Sequence, residues 1–120
     1  MLNLDTHILV FALNGSLTAK ERELLSRESW GVSGIVLWEL SKLAELGRIT
    51  LDLNDADFVE AMSQIHVWPI TLDVCRAIAT LDFDSDPADE IIAATSVAQG
   101  CALVTRDKRI RGSKVVPIAR

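Results

Sequence analysis

Five short apolar segments, Leu2 to Leu4, Gly31 to Ser33, Val67 to Ile70, Ala102 to Thr105 and Val115 to Ile118, read as strands, and helix-length patterns separate most of them. A chain that alternates in this way folds as an α/β protein. The segments show little apolar/polar alternation, which suits strands covered on both sides. The expectation is a central, mostly parallel sheet of about five short strands with helices on both faces. The run Ile8 to Leu13 suits a buried strand or a buried helix on periodicity alone, and it is taken as helix. "TAKE" at Thr18 to Glu21 has the form of a capping box. Asn54 before "DADF", Thr71 before "LDVC" and Asp86 before Pro87 are further start signals. Asn14-Gly15 and Gly47 are stops.

With 120 residues, 49% of them apolar, the chain reads as one domain over residues 1–120, large enough to bury roughly two thirds of its unfolded surface. No Pro/Gly/Ser-rich linker, internal repeat or low-complexity tract divides it. Ile8 to Leu13 is its longest apolar run, far short of a bilayer span, and a basic signal-peptide start is lacking. The expected setting is the cytoplasm. Cys75 and Cys101 lie among apolar residues without ligand-like spacing, so they read as small buried thiols.

A net charge of −5 argues against nucleic-acid binding through an overall positive field. The distribution is uneven. Arg106, Lys108, Arg109, Arg111, Lys114 and Arg120 gather at one end, while Asp82, Asp84, Asp86, Asp89 and Glu90 crowd one short stretch. Either run also suits a solvated face.

In an open parallel sheet, ligands gather outside the carboxyl ends of the strands. Asp5 follows the first strand directly, and Asp107 follows "ALVT" by one residue, so topology brings both to the same edge. Each, taken singly, also suits a helix cap. Glu39 is harder to place. On a helix at 100° per residue its direction falls between those of Leu43 and Leu46, within the apolar arc of "SGIVLWELSKLAELG". A carboxylate there requires a proton, a cationic partner or a metal ion. In "DPADEIIAATSVAQG", Asp86 and Asp89 fit an acidic variant of the capping box. For Asp86 the cap is the better reading, whereas Asp89 equally suits a shared site beside the sheet edge.

Taken in order, "LDTHILVFALNG", "SGIVLWELSKLAELGRI", "DPADEIIAATSVAQG" and "LVTRD" resemble PIN-domain nucleases of the VapC toxin type over essentially the whole chain. The resemblance implies a PIN-like fold and carries the family's acidic quartet onto Asp5, Glu39, Asp89 and Asp107, as catalytic and metal-binding residues. It further implies an RNA substrate, a small antitoxin protein as inhibitory partner and a homodimer. The chain departs from the pattern at Glu90, where many relatives have arginine. That substitution adds negative charge beside the site.

Phosphodiester hydrolysis needs an activated water, neutralisation of phosphoryl charge and help for the leaving oxygen, all of which divalent ions supply. Mg²⁺ and Mn²⁺ want hard oxygen ligands, which suits a set of carboxylates without histidine or cysteine. Arg106, Lys108 and Arg109 are candidates for holding RNA phosphates at the rim, with a solvated helix face as the alternative. Ser33 and Thr105 are candidate hydrogen-bond donors to the acids, with cap and strand-end roles as their alternatives. Trp38 projects from the polar side of its helix and is a candidate partner contact.

Other phosphoryl-transfer folds fit less well. A haloacid-dehalogenase phosphatase needs a second acid where His7 stands, and a receiver domain needs an acidic pair after the first strand. "GVSGI" lacks the second spaced glycine of a serine-hydrolase elbow. A non-catalytic binding module on the same scaffold stays open.

Overall fold

A computed structural model describes residues 1–120. Four parallel strands, β1 (Leu2–Leu4), β2 (Trp30–Ser33), β3 (His66–Trp68) and β4 (Leu103–Val104), form one sheet in the order β3-β2-β1-β4. Between them run α1 (Thr6–Asn14), α2 (Ala19–Ser26), α3 (Gly34–Glu45), α4 (Ala56–Ser63), α5 (Leu72–Ile78) and α6 (Pro87–Gln99), and α7 (Lys108–Arg111) follows β4. The chain steps from β1 to β2 to β3 in one direction and returns through α5 and α6 to β4 at the opposite edge. Right-handed crossovers in opposite directions place helices on opposite faces, so both sides of the sheet are covered.

The expected fifth strand is a single parallel bridge between Leu103 and Ile118. Two features stop Val115 to Ile118 from extending. Ser113 Oγ accepts the N–H groups of both Val115 and Val116, while Asp82 takes the Ser113 hydroxyl and the Lys114 N–H, which bends the chain there. Pro117 then contributes a carbonyl to Leu103 but has no N–H to give. Pro69 ends β3 early in the same way, two residues before the expected boundary.

The capping box at Thr18 and Glu21 forms in full, Thr71 caps α5, and Gly15 closes α1 in the left-handed conformation. The start of α4 differs by one residue from expectation. Asp55 is the cap, accepting from the Phe58 N–H, and Asn54 instead donates its N–H to Asp52. Ile8 to Leu13 is helical, as expected, within α1.

The core joins Leu2 and Leu4 of β1 to Ile8, Leu9, Val32, Val36, Leu40 and Ile92, nearly all fully buried. Asn3 faces the other way from Leu2 and Leu4. Its amide donates to the Ile92 carbonyl at 3.0 Å and to Ser96 Oγ at 2.9 Å, which fastens β1 to the middle of α6. Cys75 overturns the buried-thiol expectation. It is exposed on α5, whose inward face is Val74 and Ala77, while Cys101 is half-buried, and both thiols are free.

Gly31 lies under the Trp68 ring, where an added Cβ would meet ring carbons at 2.5 and 2.6 Å. Gly31→Ala is therefore expected to cost about 1–3 kcal/mol through overpacking, read as a lower denaturation midpoint in urea at unchanged slope.

Candidate active site

The sheet order places β1 and β4 side by side, with the chain leaving β1 toward one edge and entering β4 from the other. This is a topological switch point, where a crevice opens outside the carboxyl ends. Asp5 and Asp107 flank it. With Asp89 from the first turn of α6 they line one cavity of about 360 Å³, which Ile8, His7 and Phe11 also border.

Asp5 is 9% exposed and occupies the N-cap position of α1, yet its side chain makes no capping bond. Its carboxylate turns toward β4, where the Thr105 hydroxyl donates to Oδ2 at 2.6 Å. The same Thr105 oxygen accepts the Asp107 N–H at 3.1 Å, so one side chain links the two strand-end acids. Asp107 does cap: Oδ1 accepts the Ile110 N–H. Ser33 serves as a helix cap, accepting from Ile35, so of the two expected donors Thr105 is the one that reaches an acid, Asp5.

Glu39 is half-buried and has no cationic partner; Thr6, the neighbour of Asp5, donates its hydroxyl to Oε1 at 2.5 Å. Asp86 takes the N-cap position of α6 but makes no capping bond, so the acidic capping box does not form. Asp89 receives the Ser85 hydroxyl instead, at 3.2 Å. The Glu90 carboxylate accepts the Ser85 N–H at 2.9 Å, folding the acidic stretch back onto α6. Sequence reasoning offered no signal for Thr6, Ser85 or this role of Glu90.

A common arrangement emerges. Each of the four acids spends one oxygen on a donor of the chain: Asp5 on Thr105, Glu39 on Thr6, Asp89 on Ser85 and Asp107 on Ile110. The second oxygen of each has no protein partner, and no lysine or arginine pairs with any of them. Their mutual proximity registers on Asp89. Its carboxyl is pushed above the ordinary aspartate value by burial first, then by the charge of Asp5, with Glu39 and Asp107 adding to it and the Ser85 bond opposing.

The donor set is all oxygen, oriented by outer hydrogen bonds and short of positive charge, which fits a hard divalent cation. No three of the acids are drawn together into a ready-made cage. Mg²⁺ keeps several waters and is held by a few carboxylates rather than by a full protein shell.

The three expected phosphate contacts divide. Arg106 is committed elsewhere: it grips Glu21 with two bonds of 2.7 and 2.8 Å, donates to the Ser16 carbonyl and lies 3.9 Å over the Phe11 ring. The Arg106 hydrogen bonds hold Glu21 down to about 2. Arg109 donates to the Asp84 carbonyl. Lys108 has no ion-pair partner and lines a second cavity of about 660 Å³ with Asp86, Asp89 and Asp107.

Residues 3–113 match the PIN domain family. Ribonuclease VapC22 of Mycobacterium tuberculosis is 34% identical over 86 residues, 69% of this chain and 66% of that protein, so the match spans just under two thirds of the relative. Among solved structures, VapBC2 from Rickettsia felis bound to a promoter DNA fragment superposes with a TM-score of 0.73 at 18% identity. It covers 98% of this chain and 97% of its own. A toxin-antitoxin complex from Klebsiella pneumoniae gives 0.71 at 20% identity, over 93% of this chain and 91% of its own. The parallel four-stranded sheet, the crevice between β1 and β4 and the family match over nearly the whole length lead to one assignment: this chain is a member of the PIN domain family.

Proposed function

We propose that the chain is a Mg²⁺- or Mn²⁺-dependent endoribonuclease acting as the toxin of a toxin-antitoxin pair. One observation carries the chemistry: carboxylates from three separate stretches of chain line one crevice, each with an uncommitted oxygen and none neutralised by a basic side chain. The 34% identity to a ribonuclease supports RNA as the substrate. The resemblance in fold to toxin-antitoxin complexes supports a small antitoxin as partner. A homodimer in the cytoplasm completes the reading. No helix is long and apolar enough to cross a membrane, and Trp38, 55% exposed on α3, is available as a contact for another chain.

Asp5, Asp89 and Asp107 are the residues that would hold the ion, with Glu39 at the margin of the cluster. The bound ion supplies charge neutralisation at the phosphoryl oxygens, an acidified water and support for the leaving oxygen. The chain's part is positioning. Thr105 fixes Asp5 and the Asp107 backbone relative to each other, and Ser85 fixes the Asp89 carboxylate. Thr6 occupies one oxygen of Glu39 and leaves the other to accept a hydrogen bond from an attacking water and so orient it.

Purified protein incubated with total RNA is expected to cleave it in Mn²⁺ or Mg²⁺ and to stop when EDTA is added. Cleavage that persists in EDTA would overturn the metal requirement. A folded protein inert in every divalent ion would favour a non-catalytic module.

A further inference from the structure

Beside the acidic crevice, α2 and α7 border a third cavity of about 450 Å³. It meets the crevice at Arg106, which lines both, and meets the larger acidic cavity at Lys108. Its charge is opposite to theirs. Lys20, Lys108 and Arg111 have no acidic partner, and the only acid on its wall, Glu21, is cancelled by Arg106. Arg111 is aimed by one bond, from Nη1 to the Thr105 carbonyl at 3.1 Å. On the other flank, Asp84, Asp86, Asp89 and Asp107 outnumber Lys108 and Arg109. A polyanion leaving the acids is repelled on that flank and attracted on this one.

We propose that the α2–α7 groove is the track for the RNA strand flanking the cleavage point, with Lys20, Lys108 and Arg111 receiving successive backbone phosphates. This identification of the ligand rests on the ribonuclease reading. In a chain of net charge −5, three uncompensated cations on one groove concentrate the attraction that the whole molecule lacks. The groove lies against the crevice where a phosphodiester would react, with Arg106 lining both, so one polyanion is long enough to reach from one to the other. Arg106 builds the groove wall by clasping α2, and Lys20, a position that the capping box of Thr18 and Glu21 leaves unconstrained, takes the phosphate-binding place expected of Arg106.

The test is binding of a single-stranded oligoribonucleotide to the full chain in EDTA, measured across a range of salt. Lys20 is exposed and makes no hydrogen bond or ion pair through its side chain, so Lys20→Gln is expected to fold normally. It should weaken binding and reduce the slope of log K against log salt by about 0.7, the loss of one phosphate contact on a single strand. Arg48→Gln, which removes the same charge beside a separate cavity at the end of α1, should leave the slope unchanged. An equal loss in both variants would overturn the track in favour of a general field effect. An unchanged slope in Lys20→Gln, with wild-type protein still cleaving RNA in Mn²⁺, would overturn the track and leave the nuclease reading intact. A reduced slope in a protein inert toward RNA in Mn²⁺ would support the track and overturn the nuclease reading. Undiminished RNA binding with weakened binding of polyglutamate would overturn the proposal and assign the groove to an acidic protein segment.

Discussion

Asp5→Asn is expected to reduce metal-dependent RNA cleavage by more than about a hundredfold while the protein remains folded. The magnitude follows from position: loss of an outer hydrogen-bond partner of a metal site costs roughly 10–100-fold, and loss of a ligand charge should exceed it. Asparagine keeps the shape and an oxygen that can still accept from Thr105, so the link between β1 and β4 survives. Growth inhibition on expression should disappear with the activity. The check is a gel assay on total RNA in Mn²⁺, with circular dichroism and thermal unfolding as evidence of fold. Unaltered cleavage by a folded Asp5→Asn protein would remove this residue from the chemistry.

The second large effect concerns stability. Asp89 ionises against burial and against the negative charge of Asp5, Glu39 and Asp107, so its carboxyl lies above the ordinary aspartate value. The folded state therefore binds its proton more tightly than the unfolded chain. The contribution this makes to stability is fully present below the unfolded aspartate value and is lost as pH rises through the raised one. At neutral pH the metal-free protein carries that strain. An ion bound only by the folded state relieves it; at a hundred times its dissociation constant it adds about 2.7 kcal/mol. For a domain of this size that is roughly a 10 °C rise in melting temperature. Asp89→Asn should melt higher than wild type without metal, flatten this part of the pH dependence and respond weakly to Mn²⁺. Differential scanning fluorimetry with and without Mn²⁺ reads all three. An ion-independent melting temperature in the wild-type protein would contradict a metal site here.

Much of this was legible in the sequence because local signals and topology agreed. Short unalternating strands, capping residues and glycine stops locate most elements, and the rule that parallel strands end at a common edge brings Asp5 and Asp107 together from sequence alone. Glu39 betrayed itself by sitting among leucines. What stayed hidden depends on contacts between remote segments. Nothing local distinguishes Ser85 or Thr6 from any loop serine or threonine, and Arg106 looks free until Glu21 and Phe11 are seen beside it, 85 positions away in the first case. The fifth strand failed for a comparable reason: Asp82, far along the chain, ties the Ser113 turn down.

The buried amide of Asn3 gives the crevice a fixed gauge. Asn3 precedes Asp5 by two positions, and the Ile92 carbonyl it holds follows Asp89 by three, one turn of helix away. Two of the acids thus hang from a single crossbar between β1 and α6, and their separation is set by backbone rather than by the loops around them. Those loops can change in length or sequence without altering that separation.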